Sequence, residues 1–85
     1  MRLNVQVEEI QALLASHIPG CEAQIHIEGS HVYVTVVSDR FEDLGPVKRH
    51  QLVYGVFTDA LAAGRIHAVH IKPFTPAEWQ QQHQS

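Results

Sequence analysis

The segment AQIHIEGSHVYVTV, residues 23–36, decides the fold because apolar and polar residues alternate on both sides of a Gly-Ser pair. Alternation of this kind places every second side chain on the same face of a β-strand. A two-residue turn at Gly29-Ser30 pairs Ile27 with Val32, and in that register the apolar residues of both strands share one face. The segment therefore predicts a β-hairpin with one buried face.

Two helices are predicted around this hairpin from the spacing of apolar residues. Residues 7–18 carry apolar side chains at helical spacing behind Asn4 as a candidate cap, and Pro19-Gly20 ends that helix. After the hairpin, a long helix is predicted over 46–61, because Pro46 suits a first helical position and Gly64 suits a position just past the end.

The last third of the chain predicts one more strand and one more helix. Residues 66–72 alternate as a third strand, in which His67 shares a face with the core residues. Thr75-Pro76-Ala77-Glu78 has the pattern of a capping box, which predicts a final helix. The glutamine-rich residues 80–85 lack apolar periodicity and are expected to form a flexible tail.

This order of elements predicts an α+β fold. A long helix between the second and third strands is a crossover connection, so the third strand should run parallel to its neighbour. We expect a mixed three-stranded sheet with helices packed on one face, in a single domain over residues 1–79.

Composition limits the class of protein. The chain has 85 residues, a formal net charge of −3 and a single cysteine, Cys21. One cysteine cannot form an internal disulfide or a thiolate cage for a metal, which favours a reducing compartment. No leader sequence or membrane-spanning run is visible, and we expect a cytoplasmic protein without membrane contact.

Sequence motifs of catalysis are absent. The chain has no glycine-rich phosphate loop, no nucleophile elbow and no His-Glu-x-x-His pair. The adjacent carboxylates Glu42 and Asp43 are typical of a solvated turn. We therefore expect a protein that is not an enzyme.

A basic cluster begins the predicted long helix. Lys48, Arg49 and His50 oppose the helix dipole there, which indicates either an ordinary solvated turn or a site for an anion or an acidic partner. Together with Arg65 and Lys72 they form the candidate surface for a protein partner or nucleic acid.

Histidine and cysteine residues are the candidate metal ligands. His67 is either a hydrogen-bonded core residue or a ligand, His31 is either a solvated turn residue or a ligand, and Cys21 is either structural or redox-active. An imidazole can replace a thiolate at a two-iron cluster, and a second protein can supply the remaining thiolates.

Three motifs carry a resemblance to a known family: VKRHQLVY (residues 47–54), GRIHAV (64–69) and TPAEW (75–79). With them the chain resembles the BolA-like family and its small acid-responsive IbaG branch. The resemblance extends over nearly the whole chain. It implies an αββααβ order with an added final helix, a topology similar to the type II KH fold.

The resemblance implies a non-enzymatic partner of monothiol glutaredoxins in iron–sulfur trafficking, sensing and stress response. The two proteins would share a bridged 2Fe-2S cluster, with glutathione supplied by the glutaredoxin. His67 matches the family's histidine ligand, and His31 lies in the matching place for the second ligand, whereas Cys21 lies too early for the cysteine form. Alone, the chain is expected to hold no cofactor and to be a monomer or weak dimer.

The resemblance also leaves a second reading open, a nucleic-acid-binding transcriptional regulator. The chain lacks the Gly-x-x-Gly loop with which KH domains clamp a nucleic-acid backbone, and its net charge is negative. DNA would then be bound by the basic cluster, with an affinity that falls steeply with salt.

Overall fold

A computed structural model describes residues 6–84 of the chain, so the candidate cap Asn4 and the terminal Ser85 lie outside the described residues. The described elements are, in chain order, α1 (Val7–His17), β1 (Glu22–Glu28), β2 (His31–Val37), a 3-10 turn (Asp39–Phe41), α2 (Pro46–Tyr54), α3 (Thr58–Ala62), β3 (Ala68–Phe74) and α4 (Pro76–Gln84).

The predicted hairpin is confirmed in its register. β1 and β2 are antiparallel, with Ile27 opposite Val32 and Glu28 opposite His31. Gly29 begins the turn with a φ of 58°, a left-handed conformation that glycine adopts without steric cost.

The mixed sheet is confirmed as well. The strand order is β1-β2-β3, and β3 runs parallel to β2 with Ala68 opposite His31 and Phe74 opposite Val37. The sheet therefore has two distinct ends. The end at the Gly29-Ser30 turn is called the hairpin end below, and the end at Val37 and Phe74 is called the far end.

The core lies on one face of the sheet, as predicted. Alternate residues of β2 (Val32, Val34 and Val36) are buried there, against Ile10 and Leu14 of α1. The other face, called the open face, presents exposed side chains from all three strands: Gln24, His26, Glu28, His31, Tyr33, His70 and Lys72.

The prediction of one long helix over 46–61 is wrong, because the chain forms two shorter helices there. α2 ends at Tyr54, and α3 begins only at Thr58. The intervening Val56 and Phe57 are 6% and 1% exposed, and their N–H groups donate to Val53 and Tyr54 in tight turns. Gly55, a residue of low helix propensity, lies at the point where the helix is interrupted.

The third strand and the last helix also differ from the predicted bounds. β3 covers Ala68–Phe74 and not 66–72, so His67 precedes the strand. The capping box is confirmed, because the Thr75 N–H donates to Glu78 Oε1 at 3.0 Å and the Glu78 N–H to Thr75 Oγ1 at 3.1 Å. α4 then continues to Gln84, so the expected flexible tail is helical over that length, consistent with the good helix propensity of glutamine.

Among the described helices, none combines the length and the apolar character that crossing a bilayer requires.

Candidate functional site at the hairpin end of the sheet

His67 is exposed, contrary to the prediction that it faces the core. The preceding residue, Ile66, is buried with 2% exposure and occupies the core position at this point of the chain. Strand alternation begins only at Ala68, so it does not constrain the direction of His67. The imidazole is therefore accessible to another molecule.

The segment that carries His67 is attached to the hairpin turn. The His67 N–H donates to the Ser30 carbonyl oxygen at 2.8 Å, one step beyond the register that places Ala68 opposite His31. His67 and His31, 36 positions apart in sequence, thus lie at the same end of the sheet. The parallel pairing of β2 and β3 is what brings these two predicted ligands to one place.

The His31 side chain lies on the open face of the sheet, next to His70. Its Nδ1 lies 3.4 Å from Nε2 of His70, and the two rings are nearly parallel at 14°. His70 also stacks on Tyr33, with ring centroids 4.4 Å apart and an angle of 9°. Sequence reasoning missed His70 and Tyr33 as site residues. The signal was available in the alternation of β3 combined with a parallel register, which puts His70 opposite Tyr33.

Cys21 lies at the far end of the sheet. It immediately precedes β1, whose first residue Glu22 pairs with Val37, whereas His31 and His67 lie at the hairpin end. Six residue steps along a strand separate the two ends by about 20 Å. Cys21 is partly buried, its Sγ lies 3.8 Å from the Leu14 carbonyl oxygen, and burial raises the pKa of its thiol. These contacts fit the structural reading of Cys21 and separate it from His67.

Arg49 holds α2 to its neighbours. Its Nε donates to the Leu44 carbonyl oxygen at 2.8 Å, its Nη1 donates to Glu78 Oε1 at 2.7 Å, and its guanidinium lies 6.0 Å from the Phe41 ring centroid. The side chain is only 15% exposed. Arg49 therefore joins α2 to α4 and is poorly placed to meet a ligand.

Arg65 is also engaged within the chain. Its Nη1 and Nη2 donate to the two carboxylate oxygens of Glu9 at 2.8 and 2.9 Å, a bidentate pair that links α1 to the segment before β3. This hydrogen-bonded guanidinium holds the pKa of the Glu9 carboxyl below its usual value, against the opposing effect of partial burial.

The remaining basic candidates lie on different surfaces. Lys48 and His50 are exposed on α2, where the His50 ring stacks with Tyr54 at 5.8 Å, and Lys72 is exposed on the open face of the sheet. The five predicted residues do not form one continuous basic surface, because two of them are held in ion pairs and the other three are divided between α2 and the sheet.

In the described part of the chain, no three His, Cys, Asp or Glu side chains converge as a complete metal site. Any cluster bound at the hairpin end would need further ligands from another molecule. The donor set suits that arrangement, because His67 is exposed and its side chain makes no hydrogen bond with the described residues.

Comparison with known proteins identifies the family. The sequence model described as "BolA-like protein" matches residues 2–78. The acid stress protein IbaG of Escherichia coli strain K12 is 42% identical over 71 residues, which is 84% of each chain. The DNA-binding transcriptional regulator BolA of Vibrio cholerae is 53% identical over 55 residues, covering 65% of this chain and 51% of that protein.

The fold agrees with this match. The solved structure of a BolA homologue from Coxiella burnetii superposes with a TM-score of 0.76 at 25% identity, over 89% of this chain and 97% of that one. The αββααβ order with a final helix, the mixed sheet and the sequence match lead to one conclusion, that the chain belongs to the BolA-like protein family.

Proposed function

We propose that this protein binds a monothiol glutaredoxin and contributes histidine to a 2Fe-2S cluster held between the two proteins. The observation that carries the proposal is the exposure of His67 at the hairpin end, one backbone hydrogen bond away from the turn that leads into His31. In this function the protein is a non-enzymatic adaptor in iron–sulfur trafficking or sensing.

The chain's own contribution is to fix the backbone that carries His67. Ile66 is anchored in the core, the His67 N–H is held by the Ser30 carbonyl oxygen, and β3 begins at Ala68, so the backbone around His67 is fixed. A ligand on a fixed backbone loses only side-chain freedom when it binds. An imidazole in place of a thiolate also raises the potential of a two-iron cluster, which distinguishes a shared cluster from an all-thiolate one.

His31 supports the proposal as the second ligand. It lies at the same end of the sheet as His67, whereas Cys21 lies at the opposite end. To reach a shared cluster, the His31 ring would have to leave His70, its hydrogen-bond partner at 3.4 Å. Both rings are exposed, so this exchange replaces one weak contact and uncovers no buried polar group.

Anaerobic reconstitution of a cluster on a monothiol glutaredoxin with glutathione tests the proposal. Adding the wild-type chain should produce a new visible absorption and circular dichroism spectrum, and His67→Ala should not produce it. His17→Ala is the matched control, because His17 is an exposed histidine on α1 whose Nδ1 lies 3.2 Å from the Leu13 carbonyl oxygen. An identical spectrum with wild type and His67→Ala, or no complex on size exclusion, would refute the assignment.

A second candidate function is transcriptional regulation through DNA binding. It is supported by the name of the Vibrio cholerae relative and by the exposure of Lys48, His50 and Lys72. Binding of a labelled DNA duplex, followed by fluorescence anisotropy, should then weaken steeply with salt and weaken further in Lys48→Ala. His67→Ala should leave DNA binding unchanged, which separates this function from cluster sharing.

A further inference from the structure

The open face of the sheet carries a row of four aromatic and imidazole rings, of which the proposed function uses only His31. His26 of β1, Tyr33 of β2 and His70 of β3 follow one another across the sheet, with ring centroids 5.9 and 4.4 Å apart. His31, also of β2, has its ring centroid 5.6 Å from that of His70. Within this row, His31 and His70 form what is called here the open-face histidine pair. Both rings are exposed to solvent.

The two rings of the pair meet edge to edge. Their centroids are 5.6 Å apart, whereas His31 Nδ1 and His70 Nε2 are only 3.4 Å apart. The difference is close to twice the distance from an imidazole centre to one of its own ring atoms, so the two nitrogens lie between the ring centres. In this arrangement one nitrogen of each ring points into the space between the two rings.

We propose that the open-face histidine pair binds a single divalent transition-metal ion such as Zn²⁺ through His31 Nδ1 and His70 Nε2. Two nitrogens bonded to Zn²⁺ at 2.0–2.1 Å with a tetrahedral angle lie about 3.3–3.4 Å apart, which is the separation in the pair. The imidazoles therefore need to reorient but do not need to move apart. Neutral imidazole is a preferred ligand of Zn²⁺, Cu²⁺ and Ni²⁺, and water can fill the remaining positions on the exposed side.

An acidic side chain lies on the same face of the sheet as the pair. Glu28 lies opposite His31 in the antiparallel register, so its carboxylate is on the same face of the sheet. Glu28 Oε2 lies 3.3 Å from Nε2 of His26, another residue of the open face. The cationic Lys72 follows His70 by two residues along β3, on the side away from His31.

Tyr33 acts as a positioning residue for His70. It is the direct partner of His70 in the parallel register, and its ring stacks on the imidazole at 4.4 Å. The stacking restricts rotation of the His70 ring and so reduces the conformational entropy lost on metal binding. The phenol oxygen has no part in this role.

Titration of the isolated chain with Zn²⁺, without glutaredoxin, iron or glutathione, tests the proposal separately from cluster sharing. Calorimetry should give one site with 1:1 stoichiometry, and the side-chain NMR signals of His31 and His70 should shift before those of other histidines. His70→Gln should weaken binding by at least about tenfold, as losses in a metal site usually do. His17→Gln should bind Zn²⁺ as the wild type does, because His17 lies on α1 and not on the sheet.

A second pair of variants isolates the stacking contact. Tyr33→Ala should weaken Zn²⁺ binding by about tenfold, a typical effect for a residue that orients a ligand, and Tyr33→Phe should restore it. Circular dichroism confirms that the variants are folded. The proposal is overturned if His70→Gln binds Zn²⁺ as tightly as the wild type, or if the first signals to shift are those of Cys21 or His67.

Discussion

Two carboxylates, those of Glu9 and Glu78, each receive hydrogen bonds that exist only in the folded chain. Glu9 accepts two from Arg65, and Glu78 accepts one from Arg49 and one from the Thr75 N–H. In both cases the arginine hydrogen bond is the main cause that lowers the pKa of the carboxyl from its usual value of 4.5. Each carboxylate therefore links the stability of the fold to pH.

The sign of this linkage gives a prediction at the scale of one residue. A carboxyl with a lowered pKa stabilises the fold above its unfolded-state pKa, and that stability is lost as the pH falls through the folded-state pKa. Glu9→Gln should therefore reduce the free energy of unfolding at neutral pH, and the difference from wild type should shrink at acidic pH below 4.5. Urea unfolding at a series of pH values measures this difference.

Glu8→Gln is the matched control for Glu9→Gln. Glu8 lies in the same first turn of α1, is exposed, and makes no ion pair with the described residues. Its substitution should alter the pH dependence much less. Equal pH profiles for the two variants would mean that the Arg65 pair contributes no measurable stability.

Helix ends determine the path of the chain between β2 and β3. α3 ends in a Schellman motif, in which the Gly64 N–H donates to the Leu61 carbonyl oxygen and the Arg65 N–H to that of Ala60. Gly64 has a φ of 76°, whereas Gly55, at the end of α2, has a right-handed φ of −57°. Of these two glycines, only Gly64 has a left-handed backbone conformation, which other residues adopt with difficulty.

Alanine substitution of these two glycines should therefore have opposite effects. A Cβ at Gly55 would meet only the carbonyl oxygens of Gln51 and Leu52, at the ordinary contact distance of 3.7 Å. Because alanine also reduces the conformational entropy of the unfolded chain, Gly55→Ala should stabilise the fold by about 0.4–1 kcal/mol. Gly64→Ala should destabilise by about 1–2 kcal/mol because of its left-handed φ, although the space around it is open. Chemical denaturation of both variants tests the contrast, and effects of the same sign would contradict it.

Elements set by neighbouring residues were predictable from the sequence. The hairpin register follows from alternation around Gly29, and the capping box from the four residues that begin with Thr75. The break after Tyr54 was not predictable from apolar spacing, because Val53, Val56 and Phe57 are all buried and keep the spacing of one helix face across it.

The candidate site was predictable only in part, for the same physical reason. His31 and His67 could be selected by their residue type and by resemblance. The contact between His31 and His70 spans 39 positions and exists only because β3 pairs in parallel with β2. The exposure of His67 follows from a strand that starts at Ala68, two residues later than predicted, a difference within the usual error of a predicted boundary.

At the scale of the whole molecule, the two ends of the sheet separate two chemical environments. The hairpin end carries His31 and His67. The far end carries a groove of about 780 Å³ lined by Pro19, Gly20, Glu22, Val37, Ser38, Asp39, Glu42, Pro76, Ala77, Trp79 and Gln80. Because β2 is seven residues long, the ends are about 20 Å apart.

This separation predicts which signals a glutaredoxin partner should change, if the proposed function holds. Trp79 is the only tryptophan of the chain and lines the far groove, so a fluorinated tryptophan there gives one fluorine NMR signal. Adding cluster-loaded monothiol glutaredoxin should shift the amide signals of Ser30 and Ala68 at the hairpin end and leave the fluorine signal in place. Unfolding the same sample in urea, which must move the fluorine signal, shows that the label is sensitive to its surroundings. A shift of Trp79 without a shift of Ser30 would place the partner at the far groove, and His67 would then be too distant to serve as a ligand.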